Sequence, residues 1–168
     1  MRDYVLVQLD AHQVVTQFAP ALARVVASYE RDHALRAELL QEVLMAIVTS
    51  LPRLTEPEKL KAFVFRIAHN RSVSHVARRM RERAHEAAWQ GSEESTVGQD
   101  QALIQTERSE RLLEAVRKLA LPYRQVMTLL LEDMNYEEIA DTLGITVANV
   151  GIRVNRAKKQ LREILNHD

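Results

Sequence analysis

The chain has 168 residues, a formal net charge of zero and 46% hydrophobic residues, enough for one ordinary domain or two small ones. Aromatic residues supply only 5% and cysteine is absent, which excludes disulfides, thiolate zinc sites and cysteine nucleophiles and suits a reducing compartment. Four glycines and four prolines are too few for the frequent turns of a strand-rich fold, no apolar run approaches a membrane span, and the N-terminal "MRDYVLVQLD" carries an acid inside its short apolar stretch, unlike a signal peptide. The composition predicts a soluble, cytoplasmic, all-α protein.

In chain order, "ALARVVASYERD" and "LRAELLQEVLMAIVTSL" both place apolar residues three and four apart, as in Leu39, Leu40, Val43, Leu44 and Ile47, and so predict two helices with buried stripes. The opposite face of the second helix carries Glu38, Gln41 and Glu42. Glu38 and Glu42 stand one turn apart, a like-charge pair that is slightly unfavourable in isolation and so either has no role or awaits a cationic partner. "PRLTEPEKL" breaks the pattern with Pro52 and Pro57. A third helix follows in "KAFVFRIAHNRSVSHVARRMRER", with Phe63 and Phe65 near its start and Ile67, Val73 and Val76 facing inward.

Charge is unevenly distributed. Arg66, Arg71, Arg78, Arg79, Arg81 and Arg83 meet one acid, Glu82, between Arg66 and Arg83; Arg153, Arg156, Lys158, Lys159 and Arg162 meet none. An acidic stretch lies between these basic blocks. By itself a charge run is most often a solvated helix face; two such blocks with an acidic spacer also fit a nucleic-acid partner. The spacer segment "AAWQGSEESTVGQDQ" holds two of the four glycines and no helical period, so it reads as a linker. The expected organisation is a helical domain over residues 1–84, a flexible acidic linker over 85–105 and a second helical domain over 106–168.

The second domain contains "ERLLEAVRKL", "PYRQVMTLLLED" and "YEEIADTLGITVANVGIRVNRAKKQL". Asn135 fits an N-cap with Glu138 completing a capping box, Gly144 ends that helix in a left-handed turn, and Thr146 caps the next. Val150, Val154, Ala157 and Leu161 recur at helical spacing and face inward, which turns Asn149, Arg153, Asn155 and Arg156 outward. Helix, tight glycine turn and a second helix with a polar, cationic face make the helix-turn-helix pattern, whose second helix enters the major groove. A plain helical hairpin shares the same signal.

Taken together, "RAELLQEVL" with "KAFVFRIAHNRSVSHVARR" resembles the second region of bacterial sigma factors, and "LPYRQVMTLLLEDMNYEEIADTLGITVANVGIRVNRAKKQLREIL" resembles the fourth. Their order and spacing are similar to the small extracytoplasmic-function group. The resemblance implies a transcription initiation factor that joins core RNA polymerase, recognises minus-10 and minus-35 promoter elements and aids melting, with no cofactor, no metal and no catalysis of its own. It implies that Glu38, Gln41 and Glu42, at the family's acidic "D-L-V-Q-E" position, bind the clamp helices of the largest polymerase subunit, while the C-terminal domain meets the flap of the second-largest. Phe63, standing at a usual tryptophan, is implied with Phe65, Arg66, Asn70, Arg71, Arg78 and Arg79 at the minus-10 element. Asn149, Gly151, Ile152, Arg153, Asn155, Arg156 and Lys159 are implied at the minus-35 duplex. An anti-sigma protein stays open as a further partner.

Departures from the family pattern fall in both domains. Where the family often has "T-V-K-S-R-L", this chain has "NVGIRV", so Gly151 and Ile152 replace a cation and a hydroxyl. Glu38 stands for a usual aspartate and Leu44 for a usual phenylalanine. A two-domain helix-turn-helix regulator that is not a polymerase subunit is the alternative, but it gives no reason for the "ELLQEV" helix or for "FVFRIAHN". A metal-enzyme reading starts from Glu82 and His85, half of a di-metal bundle site; no second Glu-x-x-His pair occurs. His69 and His75 read as surface or phosphate-contacting histidines.

Overall fold

The computed structural model describes residues 9–89 and 107–167, and among these the regular structure is entirely helical. The N-terminal unit comprises α1 (Ala11–Ala27), α2 (His33–Ser50) and α3 (Leu60–Trp89), with short 3-10 turns at Leu51–Arg53 and Pro57–Lys59. Each of the first two helices starts on an aspartate. Asp10 accepts the amide of His12 at 3.0 Å and Asp32 that of Leu35 at 2.9 Å, satisfying donors that the first helical turn leaves free. The stripe expected on α2 is the buried one: Leu39, Val43 and Ile47 pack against Leu22, Val25 and Val26 of α1 and Val64 and Ala68 of α3.

Helix α3 runs to Trp89, past the expected domain end at Ala84, because "RERAHEAAW" contains no glycine or proline to stop it. At 30 residues it is about 45 Å long. Residues 85–89 of the expected linker are therefore helix, and residues 90–105 lie outside the described residues.

The C-terminal unit comprises α4 (Glu107–Lys118), α5 (Leu121–Leu130), α6 (Tyr136–Leu143) and α7 (Val147–His167). Val116, Leu119, Val126, Leu129, Met134, Ile139, Val150, Val154 and Ala157 form its interior. The local signals around α6 act as expected. Glu138 N donates to the Asn135 side chain at 2.8 Å while Asn135 N donates to the Glu138 carboxylate at 2.9 Å, a complete capping box. Gly144 has φ of 66°, the left-handed conformation that stops the helix, and Asn149 N donates to Thr146 Oγ1 at 3.1 Å.

The two units dock on one another through cations. Arg24 of α1 makes a two-pronged contact with Glu132, at 2.8 and 2.9 Å. Arg117 Nε donates to the carbonyl of Ala27, the last residue of α1, at 2.9 Å, and the Arg124 guanidinium lies 5.7 Å from the centre of the Tyr29 ring. Lys61 reaches Glu138 at 3.3 Å, and Arg66 donates to the carbonyls of Asp141 and Thr142 at 2.6 and 3.3 Å. Helix α3 thereby lies against α6.

Candidate nucleic-acid and polymerase interfaces

The outer face of α2 follows from its buried stripe. With Leu39, Val43 and Ile47 inward, Glu38, Gln41 and Glu42 are exposed, and Met45 and Val48 continue the same face, Met45 at 67% exposure. Glu42 finds a counter-charge in Arg78 of α3, at 3.6 Å. A cleft of about 210 Å³ separates the two helices, lined by Glu38, Glu42, His75, Arg78, Arg79 and Glu82 with the apolar Leu35 and Leu39. Arg78 and Arg79, expected at the minus-10 element, thus stand beside the acids expected at the polymerase.

Arg79 is engaged within the fold. Four residues after the buried His75, it lies on the inner side of α3, where Nε is 3.9 Å from Glu30 and Nη1 is 3.1 Å from Glu82. Glu30 anchors this corner. Its carboxylate accepts the Asp32 amide at 2.9 Å and meets His75 Nε2 at 2.6 Å, with both side chains buried. Burial pushes the Glu30 carboxyl up, but the bonds from His75 and the backbone outweigh it and hold the group below its ordinary range.

The histidine expectation is corrected. His69 and His75 are both buried, because each shares the inner face of α3 with Ala68 and Ser72. His69 Nδ1 lies 3.0 Å from the Tyr29 hydroxyl, and burial lowers its pKa to about 4, so it is neutral near pH 7.

The expected minus-10 set divides by helical phase. Phe65 is 2% exposed and meets Phe18 edge-on at 6.1 Å between ring centres, so it is a core residue and not a base-binding one. It packs there against Phe18 of α1, beside the buried Val64 and Ala68. Phe63 is half-buried against the same core. Arg66, Asn70 and Arg71 are exposed, and Arg66 with Asn70 stands one turn apart on a single stripe. Arg66 is currently spent on the two carbonyls that end α6, where the partial negative charge of a helix C-terminus attracts a cation.

The minus-35 set is held on α7. Its buried stripe of Val150, Val154, Ala157 and Leu161 leaves Asn149, Ile152, Asn155, Arg156 and Lys159 exposed, with Arg153 half-buried at one flank. Gly151 does not lie on the outermost line. It turns toward α6, where a β-carbon at this position would meet Tyr136 Cε2 at 3.7 Å, an ordinary contact. No close backbone approach within the fold requires a glycine here.

Sequence reasoning missed Arg24, Glu132, Lys61, Arg117 and Arg124 as docking residues. Arg24 and Glu132 are 108 positions apart, and no periodicity links them.

A helical bundle with an acidic outer helix, docked on a helix-turn-helix unit, defines a two-unit DNA-binding architecture. Residues 14–82 match the family model for sigma-70 region 2 and residues 109–161 that for sigma-70 region 4. Curated relatives include the ECF RNA polymerase sigma factor SigM of Bacillus subtilis, 28% identical over 85% of this chain and 87% of the relative, and the RNA polymerase sigma factor CarQ of Myxococcus xanthus, 26% identical over 88% and 84%. Among solved structures, the sigma factor RpoE of Bartonella quintana, in complex with the anti-sigma factor NepR, superposes with a TM-score of 0.73 at 25% identity, covering 94% of this chain and 97% of that one. CnrH, solved with the cytosolic domain of CnrY, superposes with a TM-score of 0.69 at 23% identity, covering 94% and 88%, a likeness of fold. The chain belongs to the sigma-70 family of RNA polymerase sigma factors, in its extracytoplasmic-function group. Among the described residues no helix is long and apolar enough to cross a membrane.

Proposed function

We infer that the chain directs core RNA polymerase to promoters by dividing three tasks among three helices, without catalysing a step itself. The outer face of α2, with Glu38, Gln41 and Glu42, docks on the cationic clamp helices of the largest subunit; Met45 and Val48 extend that surface with apolar area. The exposed stripe of α3, with Phe63, Arg66 and Asn70, holds the melted minus-10 strand, where phosphate contacts and base pockets offset the few kcal/mol that unstacking costs. Arg71 adds a phosphate contact. Helix α7 lies in the major groove of the minus-35 duplex, with Arg156 and Lys159 on phosphates. The C-terminal unit also meets the flap of the second-largest subunit, and the reaction takes place in the cytoplasm.

The observation that carries this reading is the face of α7: four apolar residues turned in, and two asparagines, an arginine and a lysine turned out on the second helix of a helix-turn-helix. Promoter engagement then has a cost. Arg66 must exchange the α6 carbonyls for DNA phosphate, so α3 and α6 separate as the factor engages. An anti-sigma protein belongs to this reading as a partner that opposes that step, supported by the RpoE relative solved with NepR.

The test is capture of core polymerase by the full chain, followed by transcription from a random promoter library. Association with core and a recurrent two-part promoter motif support the reading. Failure to associate with core while still binding duplex DNA refutes it and leaves a plain DNA-binding regulator.

A further inference from the structure

Ile152 lies, with Lys159, on the line of α7 opposed to its buried stripe. It lies two residues after Val150 and two before Val154, so at about 100° per residue its side chain points about 160° away from each. The isoleucine is 49% exposed, although it is among the most strongly apolar residues. Its neighbours one turn away are Ala148, Asn149, Asn155 and Arg156, all exposed, with Lys159 a further turn on. Gly151 beside it presents no side chain. The helix therefore offers a branched apolar tip at the centre of a polar, cationic face.

Major-groove chemistry narrows what such a tip can read. Base edges there display hydrogen-bond donors and acceptors, for which isoleucine has no partner, and one apolar group, the 5-methyl of thymine. Asparagine pairs with adenine through N6 and N7, and Asn149 and Asn155 flank Ile152 on the same face. Restriction to few side-chain rotamers suits a β-branched residue to a fixed methyl contact. We propose that Ile152 reads a thymine methyl in the minus-35 element, so that this factor requires an A·T pair beneath the first two turns of α7. The proposal rests on the reading that α7 enters the groove, and it makes residue 152 a determinant of specificity and not of phosphate affinity.

The experiment uses holoenzyme assembled from the full chain and a promoter recovered by library selection. Each thymidine of the upstream element is replaced in turn by deoxyuridine, which removes the methyl and leaves the hydrogen-bonding edge intact. One replacement should weaken binding by about fourfold, the worth of one buried methyl, with an unchanged salt slope. The variant Ile152→Ala should bind the thymidine and deoxyuridine duplexes equally, and Ile152→Val should keep most of the discrimination. The proposal is overturned if no replacement matters, if the effect persists in Ile152→Ala, or if the selected element has no thymine there. Arg156→Ala and Lys159→Ala tell the two readings apart: if these leave both affinity and salt slope unchanged, α7 is not in the groove, whereas a shallower slope without a methyl effect refutes the Ile152 contact alone.

Discussion

The Arg24 and Glu132 pair joins the two units, so replacing Glu132 by glutamine should loosen their docking. The contact is two-pronged and charge-assisted, at 2.8 and 2.9 Å, and Glu132 is only 8% exposed. The bond to Glu132 raises the Arg24 pKa, consistent with a real gain for the charged form. Buried charge-assisted bonds contribute about 1.5–3 kcal/mol and solvated pairs about 0.2–1. Because Arg24 is 60% exposed, screening places this pair near about 1–1.5 kcal/mol. That is about a five- to tenfold shift of the docked-to-separated ratio. Arg24→Ala should shift it further, since it leaves the Glu132 carboxylate enclosed without its cation. The chain has no cysteine, so dyes placed through Ala37→Cys and Glu163→Cys, both exposed, report the distance between units without background labelling. Energy transfer should fall in both variants, and affinity for a single-stranded minus-10 oligonucleotide should rise by the same factor, because Arg66 is freed. If neither substitution moves the transfer efficiency at low or high salt, the pair does not hold the units together and the reasoning fails.

Gly151→Ala should stabilise the C-terminal unit by about 1 kcal/mol and raise its melting temperature, since the new methyl sits 3.7 Å from Tyr136 and helix propensity improves; a lower melting temperature by calorimetry counts against that packing. Reversal of Glu38 and Glu42 to lysine should abolish core-polymerase association while leaving helical content near wild type, with both measured on the same preparation by direct binding and circular dichroism. Equal core affinity would remove α2 from that interface. Stability should also fall with acid through His69. Its folded pKa of about 4 lies below the ordinary value of 6.5, so the unfolded chain binds the proton first. The stability is therefore present above about pH 6.5 and is lost progressively toward pH 4, by about 2 kcal/mol at pH 5. Urea titrations of wild type and His69→Gln at pH 7 and pH 5 check this, and an identical pH dependence in both would refute it.

Local chemistry was legible in the sequence wherever the cause spans a few residues. The cap at Asn135 with Glu138, the stop at Gly144, the start at Thr146 and the stripes of α2 and α7 each follow from interactions between positions two to four apart, which the helix brings together whatever surrounds it. The same periodicity defined the exposed faces of α2 and α7. What it could not decide is which of two neighbouring residues on a crowded helix turns inward: Phe63 and Phe65 both sit near the start of α3, and packing against Phe18 from α1 selected Phe65 for the core. His69 and His75 looked like surface histidines until Tyr29 and Glu30, some forty residues earlier in the chain, supplied buried partners. Amphipathicity tells which side of a helix is polar, but not which acid each cation on that side will meet. That choice belongs to the tertiary structure, because Arg24 with Glu132 and Arg66 with the end of α6 are joined only when two separately legible units pack together.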